Sequence, residues 1–210
     1  MITVLEINTI KSMDNYIKQF AYSMQKFETE NGNDGYLIAC ILLANLEKSF
    51  NAFKLLMKSG YFIETNSVGR FIYEQLCYCL TIFDMEFDQI KKVNPTKTIK
   101  NIKIFNKEFS KIYGMFSKYV HFEIKDLYKI IDFETDPETK DDVIILKDYK
   151  RDKDHDLLGI YIVLTMLYSF VIKHIAEKNK EKCYEEIMKI SKRFWKTVRV
   201  VMPKIHISDA

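Results

Sequence analysis

Six Gly and three Pro in 210 residues leave this chain short of the residues that turn a backbone. A fold of many short strands needs a turn every few residues, and glycine-rich phosphate loops and flexible linkers draw on the same small stock. Long helices do not. The chain is also 48% hydrophobic and 29% charged, which supplies a core beneath a solvated surface and argues against a disordered polymer. Domains run to about 100–200 residues, so the expectation is one all-α domain over residues 1–210.

Periodicity places the helices. Over 10–27, Met13, Tyr16, Ile17, Phe20, Ala21 and Met24 recur in steps of three and four. A second helix is expected over 34–58, with Leu42, Leu43, Leu46, Phe50, Phe53 and Leu56 on one face and Gly60 as its left-handed cap. The third, over 64–83, has few polar residues beyond Arg70, Glu74 and Gln75, which predicts a place inside the bundle. A short helix over 86–93 ends at Asn94-Pro95. A fifth is expected over 98–120, from Ile99, Ile102, Phe105, Phe109, Ile112, Phe116 and Val120, and two more over 156–177 and 180–201.

The apolar run 157–172 falls short of the roughly 20 residues that span a bilayer and has charged flanks. It predicts a central bundle helix and no membrane partner. Between 127 and 149 the pattern changes: YKIIDF and DVIILKD, separated by ETDPETKD, predict a β-hairpin insertion that lies on the helices or pairs with another chain. The expected architecture is therefore an irregular multi-helix bundle with a small β-hairpin insertion.

Thirty-two basic against 29 acidic side chains give a formal charge of +3, without the asymmetry of a dedicated nucleic-acid binder. Lys100, Lys103, Lys107, Lys111 and Lys118 predict a solvated face on the fifth helix, with nucleic-acid binding through them a less favoured alternative. Cys40, Cys77, Cys79 and Cys183 follow no secretory leader, so a reducing cytoplasmic setting with structural thiols is expected. Cys77 and Cys79 point about 200° apart on a helix and are poorly placed to share a metal. Zinc, calcium, phosphate-loop and dinucleotide motifs are missing, which predicts no metal and no cofactor.

Two constellations carry candidate chemistry. Arg70 and Glu74 stand four apart on the apolar third helix, so they share a face and reach each other. They form an internal ion pair that fixes packing, a polar pocket in which Arg70 binds an anion and Glu74 orients it or acts as a base, or a simple surface pair. Ser117 and His121 are also four apart, which permits a hydroxyl-to-imidazole contact, with Glu123, Asp126 or Glu74 available to orient the ring. The other reading of His121 is a helix-ending residue favoured by the dipole.

The segment GYFIETNSVGRFIYEQLCY, followed by Tyr113, Ser117 and His121, resembles uncharacterised bacterial all-helical proteins. These have a Gly-Tyr opening (here Gly60 and Tyr61), an Arg-x3-Glu helix (Arg70 and Glu74) and a Tyr-x3-Ser-x3-His segment. They are distantly similar to the helical toxin-type ribonuclease and nucleotide-binding domains of prokaryotic conflict systems. The resemblance implies that Arg70, Glu74 and His121 converge, with Arg70 as anion ligand and His121 and Glu74 in proton transfer. The toxin-type signature of an Arg four to six residues before a His on one helix is not matched; Lys118 stands nearest His121.

The leading expectation is a soluble cytoplasmic helical protein with a structural or protein-interaction role. Its 13 Tyr and 15 Phe offer material for a homodimer or partner interface. The alternative is a nuclease-like or nucleotide-binding domain built on Arg70, Glu74, Ser117 and His121.

Overall fold

The computed structural model describes residues 4–26, 33–105, 109–120, 131–135, 142–146, 154–179 and 184–201. The helices are α1 (Val4–Gln25), α2 (Asp34–Ser59), α3 (Phe62–Ile82), the short α4 (Phe87–Ile90) and α5 (Pro95–Thr98), α6 (Phe109–Val120), α7 (Asp154–Asn179) and α8 (Tyr184–Val201). A 3-10 helix, Ile99–Ile104, continues from α5.

Local chemistry sets several of these ends. The Asn33 side chain accepts the Tyr36 amide hydrogen bond at the start of α2, and Gly60 closes that helix at φ 77° with its N–H on the carbonyls of Leu56 and Met57. Asn94 caps α5, where Pro95 occupies a first-turn position that needs no amide donor.

The bundle is organised around α7, which packs against α1, α2, α3 and α8. Leu157, Leu158, Tyr161, Leu164, Leu167, Tyr168, Val171 and Ile175 are all buried and occupy about half of the helix circumference, while Val163, Met166, Phe170 and Lys173 on the opposite side are half-buried. Over Leu157–Lys178 this helix is long and apolar enough to cross a membrane, but 72% of its apolar stretch is buried inside the bundle. Aromatic rings fill the layer next to it: Phe53 stacks on Tyr161 at 5.6 Å, and Phe20 meets Tyr168 edge-on at 6.1 Å. Two buried hydroxyls of this helix are satisfied across the bundle, Tyr168 donating to the Leu43 carbonyl at 2.7 Å and Tyr161 to Asp14 at 2.5 Å.

Two expectations are corrected. The continuous helix over 98–120 is instead α5, the 3-10 segment and α6, with 106–108 outside the described residues. The spacing explains the change. Ile99, Ile102 and Phe105 recur every three residues, the 3-10 period, whereas Phe109, Ile112, Phe116 and Val120 step by three, four and four as an α-helix requires. Asn101 ties the tighter segment to α3 through the Thr81 hydroxyl at 2.8 Å, and Ile102 is fully buried.

The second correction concerns the hairpin as a component of the architecture. The fold is an all-helical bundle, and its described core is built from the helices and the turns that join them. Strand pairing is confined to β1 (Ile131–Thr135) and β2 (Asp142–Leu146), antiparallel with Ile131 opposite Leu146 and Thr135 opposite Asp142. The rest of the 127–149 span lies outside the described residues. Helices satisfy their own backbone groups and bury their apolar faces on one another, so the bundle closes without a sheet. Two five-residue strands alone make no layer.

Candidate functional site

The Arg70 site depends on a close approach between α3 and α6. Gly69 is buried, and a Cβ added there would lie 2.7 Å from Phe116 Cε1 and 2.9 Å from Phe53 Cε2. The missing side chain lets both rings rest on the α3 backbone. Phe116 thereby brings α6 down on α3, and Tyr113, one turn earlier on α6, arrives beside Arg70.

Among the described residues, three side chains meet there. Arg70 Nε donates to Glu74 Oε1 at 2.9 Å, the contact allowed by their four-residue spacing. Arg70 Nη2 donates to the Tyr113 hydroxyl at 2.8 Å, and the guanidinium carbon lies 5.1 Å from the centre of the same ring. The cluster sits at the bundle edge, with the Arg70 and Glu74 side chains 21% and 29% exposed. It is neither a buried ion pair nor a surface one. The Glu74 hydrogen bond raises the Arg70 pKa above its ordinary value; partial desolvation opposes this, and Tyr113 adds to the increase.

Beneath the cluster, Tyr73 donates to the Phe109 carbonyl at 2.9 Å and packs against Tyr113 and Phe116. Burial pushes the Tyr73 phenol far up, and it pushes the Cys77 thiol up to about 12. Both groups are therefore neutral near pH 7, and the thiol is held away from the thiolate that a nucleophile requires.

The structure thus joins Arg70 and Glu74, as the spacing predicted, and adds Tyr113 from 43 positions away. Ser117 is half-buried one turn beyond Tyr113 on the same face of α6. His121 lies outside the described residues, as do Glu123 and Asp126. No group of three His, Cys, Asp or Glu side chains suited to a metal occurs among the described residues.

A second polar cluster has no counterpart in the sequence reading. Asp14 of α1 accepts from Lys54 of α2 and from Tyr161 of α7, each at 2.5 Å, and Lys54 also donates to Asn51 at 3.1 Å. Three helices are pinned at one carboxylate. Its members are 14, 54 and 161 in the chain, so no local spacing announces them.

No protein-family model, curated protein or solved structure matches the chain.

Proposed function

We propose that this chain is a non-catalytic helical interaction protein in which Arg70, Glu74 and Tyr113 form a clasp holding α6 against α3. The observation that carries this reading is the engagement of the guanidinium: Glu74 takes one edge, the Tyr113 hydroxyl another, and the Tyr113 ring lies over its face. A planar fork held from two helices fixes their relative position. The protonated thiol and phenol beneath it support a packing role over a reactive one. Exposed apolar side chains such as Ile41, Leu55 and Phe71 give a protein partner, including a second copy of this chain, something to cover.

The test is Arg70→Ala. Loss of a partly exposed ion pair, a hydrogen bond and a cation–π contact should cost about 1–2 kcal/mol. In a chain of this size that lowers the melting temperature by roughly 2–8 °C. Inorganic phosphate and ATP should shift the melting temperatures of wild type and variant equally, if at all. A variant that melts like wild type, while wild type alone is stabilised by either anion, would replace the clasp with a ligand site.

A further inference from the structure

The helices α7 and α8 pack side by side and leave a groove of about 710 Å3. Its floor is aromatic. Phe170 and Trp195 have ring centres 4.8 Å apart; Phe105 stacks on Phe170 at 5.4 Å, and Phe194 braces Trp195 edge-on at 5.4 Å. Its rim is cationic, formed by Lys173 of α7 and by Lys192, Lys196 and Arg199 of α8. Among the described residues, no carboxylate lines it.

The segregation of charge follows from how α8 is docked. Glu186 and Arg193 turn toward α1, where they meet Lys26 at 3.4 Å and Gln19 at 3.1 Å. Lys192, Lys196 and Arg199 recur at four and three residues on the groove side. At about 1.5 Å of rise per residue they cover about 10 Å along the axis. Among the described residues, Glu177 pairs with Lys173 at 3.5 Å.

We propose that this groove binds a single strand of nucleic acid, its bases stacking on the Trp195 floor and its phosphates meeting Lys192, Lys196 and Arg199. A braced aromatic floor edged by a row of cations matches the two faces of such a strand: flat apolar bases and a repeating anion. An acidic peptide would satisfy the row and leave the rings unused. A duplex keeps its base faces stacked on one another and unavailable to the floor. RNA and single-stranded DNA share the required chemistry.

Trp195 is the only tryptophan in the chain, so its emission reports on the groove directly. Oligouridylate and oligodeoxyuridylate of about ten nucleotides, a usual single-strand site size, should quench it saturably at low salt. Three phosphate contacts give a slope of log K against log salt of about −2, and Lys196→Gln and Arg199→Gln should each reduce that slope by about 0.7. Both positions are exposed, so the variants should melt like wild type; Lys196→Arg should retain binding, and Lys48→Gln on α2 should change nothing. Tighter binding of the ribose or the deoxyribose oligomer tells which nucleic acid the groove takes. The proposal is overturned if neither oligomer quenches, if polyglutamate quenches equally, if phosphatidylglycerol vesicles bind and the oligomers do not, or if the two Gln variants bind as wild type does.

Discussion

Replacing Gly35 by Ala tests how the N-terminus of α2 meets the end of α3. A Cβ there would lie 1.9 Å from the Ile82 carbonyl oxygen and 2.6 Å from that of Met85, where real contacts keep at least 3.0 Å. Both obstacles are backbone, held in a turn by the Met85 amide on the Ile82 carbonyl at 2.9 Å, so neither can swing aside as a side-chain tip would. Relief requires α2 and the turn to separate by about 1 Å. That breaks the hydrogen bond from the Gly35 amide to the Met85 carbonyl and the one from the Phe87 amide to Asp34. At about 1 kcal/mol each they contribute about 2 kcal/mol, and forcing apart the buried packing at Tyr36, Ile82 and Phe83 adds about 1–3 kcal/mol.

Alanine's better helix propensity returns at most about 1 kcal/mol, leaving a net loss of about 2–4 kcal/mol. The expected fall in melting temperature, followed by far-ultraviolet circular dichroism, is on the order of 10 °C. Gly159→Ala makes the same chemical change within α7, where an added Cβ meets nothing among the described residues within 4 Å. It should be neutral or stabilising by up to about 1 kcal/mol. A Gly35→Ala protein melting at or above wild type would refute the close approach. So would Gly159→Ala falling as far.

Two titrations have definite signs. The Cys77 thiol is pushed up to about 12 and that of Cys79 higher still, burial being the first cause for both. Above pH 9, the ordinary thiol value, the unfolded chain loses protons that the folded chain keeps, so stability should fall as pH rises from 9 toward 12. The urea midpoint should drop across that window, and Cys77 and Cys79 should resist thiol reagents until the protein unfolds; rapid labelling of the folded protein would contradict this. His174 is shifted the other way: burial and then Lys178 hold its pKa below 6.5, against the opposing pull of Glu177 and Asp84, while Phe83 and Phe105 meet its ring edge-on. As pH falls through 6.5 the unfolded chain takes up the proton first, so stability is lost toward the folded pKa. Proton NMR should find His174 titrating below 6.5 and should lose that signal in His174→Gln; titration above 6.5 would count against the packing at this ring.

Where the sequence reading failed, it misjudged how far a pattern extends. Hydrophobic steps of three and four looked like one helix from 98 to 120, yet Ile99, Ile102 and Phe105 mark a 3-10 turn that Asn101 and Ile102 anchor to the bundle. A mixed spacing of this kind is compatible with either helix until a neighbour selects one. The Arg70 side chain was expected to pair internally, to floor a pocket or to pair at the surface; it bonds Glu74 at the bundle edge, with both side chains partly exposed. Tyr113, named beforehand only through a resemblance, proved to be its partner on α6.

By itself, the sequence determined what depends on neighbours within a turn or two of chain: the helical class, the span and glycine cap of α2, the all-round apolar surface of α7 and the shared face of Arg70 and Glu74. Backbone hydrogen bonding and side-chain direction in a helix repeat over a few residues, so periodicity records them. The tertiary structure decided the contacts between helices: Gly35 against the end of α3, Gly69 beneath two rings, the Asp14 carboxylate joining three helices, and the cationic rim above Trp195. Those depend on which ridges meet which grooves when the helices dock, and residues far apart in the chain become neighbours only then.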